Sequence, residues 1–382
     1  MKKVLSIILA LVFCLTLFAC VKPEDENTPE SPADDNKPEP PTIIHKVYNL
    51  SSERDVANIK INGRSKLGTD GIHCDSSVSG IEFNAYVEGD LTLTLNVSQS
   101  TNLNENIKNE CYFTLYIDGV RSETRLKADA GDNTLTLASF ETGAVHNVKL
   151  VKQTGAHGAL CTLKSMEFTG YFAEKPADKE LLVEFVGDSI TVGYGNLCTG
   201  ADPQRGHPIM QDGTKSFAYL TAEKLGADIS SMCVSGMGVA KGHRQFTADE
   251  FFDATSFYRD PSEKYTATRK ADVVVINLGT NDQSKQADMV ELVNKVISLV
   301  KLVRQKHGNN VPIVWVHGMM GNGRWEDISF ALEKQLGGTE KNIYSLALPQ
   351  NSEGGGGHPG LTAHEGASVA LSEFIKNTVL GK

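Results

Sequence analysis

Two kinds of hydrophobic pattern divide this chain. Between about residues 46 and 172, apolar and polar residues alternate, and turn residues such as Asp118-Gly119 separate the alternating runs. The alternating apolar positions include Ile81, Phe83, Ala85, Val87, Leu91, Leu93, Leu95, Val97, Phe113, Leu115 and Ile117. A period of two indicates strands with one buried face, so the sequence predicts an antiparallel β-sandwich here.

A different pattern begins at about residue 181. Short apolar runs at 183–186, 273–278 and 313–316 alternate with stretches of helical spacing, of which the clearest lie at about 287–307 and 362–379. Such runs are typical of buried parallel strands joined by crossover helices. We therefore expect a mostly parallel sheet in a three-layer α/β/α domain.

The N-terminus carries an apolar segment over residues 4–19, after Lys2 and Lys3. It is too short for a spanning helix and is typical of an export signal. Its end, Leu17-Phe18-Ala19-Cys20, resembles the lipobox of bacterial lipoproteins, which implies cleavage before Cys20 and lipidation of that thiol. The alternative is an ordinary secretory signal that happens to contain Cys20.

A segment rich in proline and acidic residues follows the signal, with almost nothing apolar to bury. Such a segment stays extended and solvated, so we interpret it as a tether. The predicted organisation is a signal over 1–19, a tether over 20–45, a β-sandwich over 46–175 and the α/β/α domain over 178–382. The expected location is a bacterial membrane, reached by export and a lipid anchor. The acidic run behind Cys20 favours the outer membrane or the cell surface.

Charge and cysteine usage narrow the class of protein. The formal net charge is −10, which argues against nucleic acid as a partner. Beyond Cys14 and Cys20 five cysteines remain, without Cys-x-x-Cys or zinc-like spacing, so at most two disulfides can form and their pairing is not readable. The histidines lack the spacing of metal ligands, and we expect neither a metal nor an organic cofactor.

Four short segments in the α/β region carry residues suited to acyl transfer. Ser189 directly follows the predicted strand at 183–186, and Asn281 follows the one at 273–278. Gly236 can bring a main-chain N–H close to a substrate, and His358 follows a run of four glycines. Loops at the carboxyl ends of parallel strands meet at one sheet edge, so these segments should converge there. Each segment alone could be an ordinary turn or helix cap.

These segments resemble the blocks of the SGNH hydrolase superfamily, from about residue 181 to the C-terminus. The resemblance implies that Ser189 is the nucleophile and that His358 is the general base and then the general acid. It also implies an oxyanion hole made of the Ser189 N–H, the Gly236 N–H and the Asn281 amide. By the same resemblance Asp188 and Asp282 mainly stabilise loops, although the sequence does not exclude a direct role.

A second resemblance covers both halves of the chain and points to carbohydrate esterase family 2. It rests on Gly63-Arg64, Ile117-Asp118-Gly119, Gly143-Ala144-Val145-His146, the segment from Ile276 to Asp282, and Gly318-Met319-Met320-Gly321. The family pairs an N-terminal jelly roll with an SGNH domain and removes acetyl groups from plant polysaccharides. The resemblance therefore implies an acetylated polysaccharide or oligosaccharide as substrate.

One departure from that family concerns the partner of His358. The aspartate and tryptophan expected just before the histidine are replaced by Gly356 and Gly357, and the superfamily's aspartate three residues before is replaced by Gly355. A main-chain carbonyl in the glycine run could orient the imidazole, and this is our first choice. Glu353 could do so instead, or the domain could be a weakened or inactive enzyme that binds sugar.

Other residues near these loops have open roles. Trp325 and Tyr194 are candidates for the missing aromatic platform, and Arg244 and Lys241 could contact substrate hydroxyls or be solvated charges. The function predicted from the sequence is a membrane-tethered esterase that deacetylates a xylan-like or glucomannan-like polysaccharide. The alternatives are a sialate O-acetyl esterase, a short-chain lipid esterase, or a non-catalytic carbohydrate-binding lipoprotein.

Overall fold

The N-terminal half folds into antiparallel strands, as the alternation predicts. The computed structural model describes residues 42–99 and 109–382. The predictions for residues 1–41, which are the export signal, lipidation at Cys20 and most of the tether, lie outside the described residues. The elements of this half are β1 (Ile44–Asn49), α1 (Glu53–Val56), β2 (Ile59–Asn62), β3 (Lys66–Gly68), β4 (Gly71–His73), β5 (Gly80–Gln99), β6 (Cys111–Ile117), β7 (Val120–Arg121), β8 (Leu126–Ala128), β9 (Gly131–Lys152) and β10 (Ala159–Phe172).

Two long strands, β5 and β9, organise this half. The hydrogen-bonded order is β3-β4-β10-β5-β9-β6-β7, while β1 pairs with β10, β2 with β5 and β8 with β6. Along β5 the residues from Ile81 to Val87 and from Leu91 to Val97 alternate between buried and less buried positions. Their apolar members pack into one core with Phe113 and Phe168. β1 begins at Ile44, inside the end of the predicted tether.

The C-terminal half contains parallel strands and crossover helices. Its elements are β11 (Leu182–Gly187), α2 (Ser189–Val192), α3 (Phe217–Lys224), β12 (Asp228–Cys233), α4 (Ala248–Asp253), β13 (Ala254–Ser256), β14 (Asp260–Lys264), β15 (Val273–Asn277), α5 (Thr280–Ser284), α6 (Met289–His307), β16 (Ile313–His317), α7 (Trp325–Phe330), β17 (Ile343–Ala347) and α8 (Leu361–Phe374). Short 3-10 turns lie at Pro208–Met210, Gly213–Lys215, Gly338–Lys341 and Gly355–Gly357, and π turns at Ala331–Gln335 and Ile375–Val379.

The parallel sheet has the order β12-β11-β15-β16-β17. Apolar residues of α6 pack on one face of this sheet, against Ile276 and Trp315. Residues of α3 and α8 pack on the other face, against Phe185 and Val275. The three layers agree with the prediction, and the order puts the carboxyl ends of β11, β12 and β15 side by side.

Buried charges connect the two halves, and Thr42–Lys382 form one compact unit. Arg64, after β2, donates from Nε to the Glu184 carboxylate on β11 at 3.0 Å. His307 at the end of α6 contacts the other oxygen of Glu184 at 2.5 Å. Asp75 accepts two hydrogen bonds from Arg259, each at 2.8 Å. These contacts fix the N-terminal half against the sheet that carries the candidate site.

Two further observations concern the described residues as a whole. Cys74, Cys111, Cys161, Cys198 and Cys233 are buried and have free thiols. No helix within residues 42–99 and 109–382 is long and apolar enough to cross a membrane.

Candidate active site

Ser189 sits at the first turn after β11, at the carboxyl edge of the sheet. Asp188 precedes it as the N-cap of α2 and accepts the Ile190 N–H at 3.0 Å through Oδ1. A side chain on Gly187 would collide with the hydroxyl of Thr191, so the strand-to-helix turn requires glycine there. Ser189 is only 6% exposed, and the cap and turn hold its backbone at a buried edge of the cleft.

The structure brings the serine and the histidine together although 169 residues separate them. His358 Nε2 lies 2.8 Å from Ser189 Oγ. The other ring nitrogen, Nδ1, lies 3.1 Å from the Gly355 carbonyl oxygen. A carbonyl only accepts, so Nδ1 carries the proton and Nε2 is free to accept from the serine hydroxyl. This is the tautomer that a general base needs.

The Gly355 carbonyl therefore occupies the place of a triad carboxylate. Glu353 is exposed and makes no hydrogen bond to the His358 ring, and the carbonyl at 3.1 Å from Nδ1 is that of Gly355. The Gly355 N–H donates to the Gly195 carbonyl at 2.9 Å. The Gly356 N–H donates to the Gly200 carbonyl at 2.7 Å, so both ends of this peptide segment are held.

Packing explains why residue 355 is not an acid. A Cβ atom there would collide with the Cys198 thiol and lie 2.7 Å from Arg205 Cβ. Gly356 adopts φ of +66°, a left-handed conformation that favours glycine. The loop can thus present a carbonyl to the histidine, whereas a side chain at 355 does not fit.

We expect Gly355→Ala to lower kcat about 10²-fold, because the added methyl displaces the carbonyl that orients His358, and displacements near 1 Å have effects of that size. Initial rates on an acetyl ester measure the effect. Gly366→Ala on α8 is the matched control, since a Cβ there meets nothing within 4 Å. Adding Cys198→Ala to Gly355→Ala should restore part of the activity, and full activity of Gly355→Ala would contradict this account.

The oxyanion segment comes from the loop after β12. Neither the Ser189 N–H nor the Gly236 N–H has a hydrogen-bond partner among the described residues. Gly236 has φ of +86°, and a Cβ there would lie 3.0 Å from the Cβ of His243. Both N–H groups can therefore donate to an incoming oxygen.

Asn281 links the segments but is not a free donor. Its Nδ2 donates to Asp188 Oδ2 at 3.0 Å and to the Met237 carbonyl at 2.9 Å. These two bonds draw the loops after β11, β12 and β15 to one point, which the sequence predicted. They also use both amide hydrogens, so the expected role of Asn281 in an oxyanion hole requires one bond to be released.

The two aspartates beside these loops have different surroundings. Asp282 accepts the Val239 N–H at 2.8 Å, the Ala240 N–H at 2.8 Å and the Lys241 N–H at 2.9 Å, so its carboxylate supports the loop that carries Gly236. Burial raises the pKa of Asp188 to about 7, although its hydrogen bonds act in the opposite direction. Neither aspartate has a hydrogen bond to the His358 ring.

The two aromatic residues considered as a sugar platform have different neighbours. Tyr194 packs against the His358 ring with centroids 4.7 Å apart and a tilt of 45°. Trp325 stacks on His317 at the end of β16, with centroids 3.9 Å apart. Of the two residues considered as a platform, Tyr194 is thus the one in contact with the histidine.

Sequence reasoning did not single out Cys198, Arg205 or His157. His157 lies in the loop between β9 and β10 and is 6% exposed, with no hydrogen-bond partner for Nδ1 among the described residues. The same loop reaches the α/β half, where Ala156 joins the core around Met237. No pattern in the sequence marks these contacts, because they depend on packing between the halves.

Comparison with known proteins gives the site a family. Residues 185–349 match the model of the GDSL-like Lipase/Acylhydrolase family. The chain carries a GDSL-like acylhydrolase domain. This stretch includes Ser189, Gly236 and Asn281, while His358 follows it.

Two similar proteins are named as esterases. The cellulase/esterase CelE of Acetivibrio thermocellus is 27% identical over 346 residues, which cover 85% of this chain and 40% of that protein. An acetylxylan esterase/glucomannan deacetylase of Cellvibrio japonicus is 29% identical over 187 residues, which cover 43% of this chain and 49% of that protein. The chain thus spans less than half the length of these two relatives.

Solved structures extend the similarity beyond the acylhydrolase domain. A family two carbohydrate esterase from Clostridium thermocellum, in complex with cellohexaose, has a TM-score of 0.75 and 26% identity and covers 85% of this chain and 99% of its own. An acetyl xylan esterase from Butyrivibrio proteoclasticus has a TM-score of 0.76 at 21% identity, covers 88% of this chain and 99% of its own, and shows the fold alone. Both halves of this chain therefore have the fold of family two carbohydrate esterases.

Proposed function

We propose that this protein is a serine esterase that removes O-acetyl groups from a polysaccharide of the xylan or glucomannan type. The observation that carries the proposal is the 2.8 Å separation of His358 Nε2 and Ser189 Oγ, with Nδ1 facing a carbonyl. The acetyl ester and the polysaccharide are suggested by the similar acetylxylan esterase/glucomannan deacetylase and cellulase/esterase.

In the first half of the reaction Ser189 Oγ attacks the carbonyl carbon of the acetyl ester, and its proton passes to His358 Nε2. The Ser189 and Gly236 N–H groups donate to the oxyanion of the tetrahedral intermediate. Asn281 becomes a third donor when it releases the Met237 carbonyl or Asp188. His358 then protonates the sugar oxygen, which leaves as the free hydroxyl and leaves an acetyl-enzyme.

In the second half a water molecule attacks the acetyl-enzyme, and His358 takes its proton. The second tetrahedral intermediate breaks the bond to Ser189 Oγ, which regains its proton from His358, and acetate leaves. The Gly355 carbonyl stabilises the protonated imidazole in both halves, as the acid of a triad would.

Three further proposals concern the rest of the chain. The N-terminal half is a jelly roll, which is supported by its antiparallel pairing around β5 and β9. The mature chain begins at a lipidated Cys20 and is anchored to a bacterial membrane, the outer one. This second proposal rests on the sequence of residues 1–45 alone. The third is that the roles of the SGNH blocks fall on Ser189, Gly236, Asn281 and His358.

Incubation of the protein with p-nitrophenyl acetate, acetylated xylan and acetylated glucomannan tests the function. Acetate release that is lost in Ser189→Ala is the expected result. Glycan binding without release by either protein would favour the non-catalytic alternative. Turnover of longer acyl esters only would favour a lipid esterase.

In the pH profile of kcat/KM, the acidic limb reports protonation of the general base. We expect the midpoint of this limb to lie below pH 6.5. Burial lowers the pKa of His358 from 6.5, more than the main-chain groups of Gly355 and Gly356 raise it, and a base must be neutral to act. Activity should therefore persist as the pH falls through 6.5 and decline only below it. Asp188, with a pKa near 7, is the other group that titrates here.

The variant Asp188→Asn separates the contributions of His358 and Asp188 to the pH profile. An inflection near pH 7 that disappears in this variant belongs to Asp188, whereas the limb below pH 6.5 should remain. A single limb above pH 7 that persists in Asp188→Asn would contradict the assignment of His358 as a base with a lowered pKa.

A further inference from the structure

An arginine borders the site on the histidine side. A side chain on Gly356 would lie 3.1 Å from Arg205 Nε and 4.0 Å from His358 Nδ1, so the stem of Arg205 runs along the loop that orients the histidine. Arg205 is exposed, and its Nη1 donates to the Asp202 carbonyl at 3.2 Å. Its charge therefore stands at the edge of the cleft.

A second arginine borders the site on the oxyanion side. Arg244 donates from Nε to the Ser235 carbonyl at 2.7 Å, directly before Gly236. A Cβ on Gly236 would lie 3.4 Å from the same Nε atom. Its Nη atoms have no hydrogen-bond partner among the described residues and are not enclosed. This guanidinium is half-buried and held in place, with its outer edge open.

The charge of these two arginines is not neutralised within the described residues. Arg121 and Arg259, which join the two halves, each form an ion pair with an aspartate, and so does Arg269 within the C-terminal half. Arg205 and Arg244 form none. Of the acids near them along the chain, Glu353 is exposed, and Asp202 accepts the Gln204 N–H through Oδ1 at 2.8 Å rather than a guanidinium hydrogen. Asp188 and Asp282 lie at the same loops, but their carboxylates are buried and accept main-chain N–H groups, whereas both guanidinium groups remain accessible to a ligand.

We infer that the acetylated sugar carries a carboxylate, as in a uronic or other sugar acid, and that Arg244 or Arg205 binds it. This inference rests on the proposed function and narrows its substrate to an acidic polysaccharide, which excludes neutral glucomannan. A guanidinium presents a planar fork of N–H donors that matches a carboxylate, and pairs of this kind are among the stronger hydrogen bonds in proteins. Neutral sugars need no such partner, so the unpaired cations favour an acidic glycan.

Two matched probes test the substrate class. They are methyl glucuronide and methyl glucoside, each with one acetyl group on the same secondary hydroxyl, so that they differ only in the carboxylate. We expect kcat/KM for the uronide to exceed that for the glucoside by about tenfold, the size of one charge-assisted hydrogen bond. Raising the ionic strength should reduce the preference, because salt screens exposed charges.

Variants of the two arginines show which of them contacts the carboxylate. Arg244→Gln should reduce the ratio of the two kcat/KM values about tenfold, and Arg205→Gln, whose guanidinium is more exposed, about threefold. The matched control is Lys341→Gln, which removes one exposed charge just before β17, at the opposite edge of the sheet. Its ratio should equal that of the unaltered protein.

The outcomes separate this inference from the proposed function. Equal turnover of both probes, or a ratio that neither arginine variant changes, overturns the inference while turnover of p-nitrophenyl acetate preserves the esterase. Absence of turnover with every ester, p-nitrophenyl acetate included, overturns both. A preference for the uronide that Arg244→Gln removes and Lys341→Gln retains supports the acidic substrate.

Discussion

Replacement of His358 by alanine is expected to lower kcat for acetyl esters about 10³- to 10⁴-fold, because the hydroxyl of Ser189 then has no base within reach. The magnitude is that of general acid–base catalysis by a well-placed side chain. The imidazole lies 2.8 Å from the hydroxyl, and its tautomer is fixed by the Gly355 carbonyl. Initial rates of acetate release, measured above pH 7, give the effect directly.

A double variant makes this test sharper. Residues that act as one unit are strongly non-additive, so Ser189→Ala combined with His358→Ala should be little slower than either single variant. His45→Ala, at an exposed histidine of β1, is the control for a general loss of histidine. Effects that multiply in the double variant would mean that the two residues act independently, which contradicts the mechanism.

Glu184→Gln is expected to reduce the free energy of unfolding by about 3–5 kcal/mol, the range found when one partner of a buried ion pair is removed. Glu184 is fully buried and receives bonds from Arg64, His307 and Ser230, the last at 2.8 Å. Without its negative charge, the buried Arg64 guanidinium remains unpaired. The midpoint and slope of a chemical denaturation curve measure this loss of stability.

The surface pair Lys66–Glu263 is the matched control for Glu184. It also joins the two halves, but both side chains are about one-third exposed, so Glu263→Gln should cost less than about 1 kcal/mol. A similar loss in both variants would show that burial is not the cause. Arg64 and His307 hold the pKa of Glu184 at about 2, below its ordinary value of 4.5 and against the effect of burial.

This lowered pKa gives the Glu184 contribution a pH dependence with a definite sign. The contribution is complete above the unfolded pKa of 4.5 and is lost as the pH falls through about 2. The difference in stability between the unaltered protein and Glu184→Gln should therefore shrink below pH 4.5. A difference that grows with acidity would contradict the assignment.

Local patterns predicted the elements more reliably than the contacts. The runs at 183–186 and 273–278 became β11 and β15 because a continuous apolar run can be buried on both faces. The edge strand β17 and the β13–β14 hairpin escaped prediction. Only the first residue of β17, Ile343, is buried, and β14 is largely exposed, so neither has a clear periodic signal.

In the candidate site, too, the sequence predicted positions more reliably than contacts. Ser189 and Asn281 could be placed at one sheet edge because each directly follows a predicted parallel strand. The hydrogen bonds that occupy the Asn281 amide could not be foreseen, since its acceptors, Asp188 and the Met237 carbonyl, lie 93 and 44 residues away. Distances in the chain do not fix which of several acceptors a side chain meets.

The amino-acid sequence by itself determined the two fold classes, the strand ends that carry Ser189 and Asn281, and the absence of an acid before His358, because each is a property of neighbouring residues. Only the tertiary structure decided that the Gly355 carbonyl replaces that acid and that Arg205 and Arg244 border the cleft. Those outcomes depend on how Cys198 and the glycine loop pack against each other, and packing between distant segments is settled by the volume and hydrogen bonds of the whole fold.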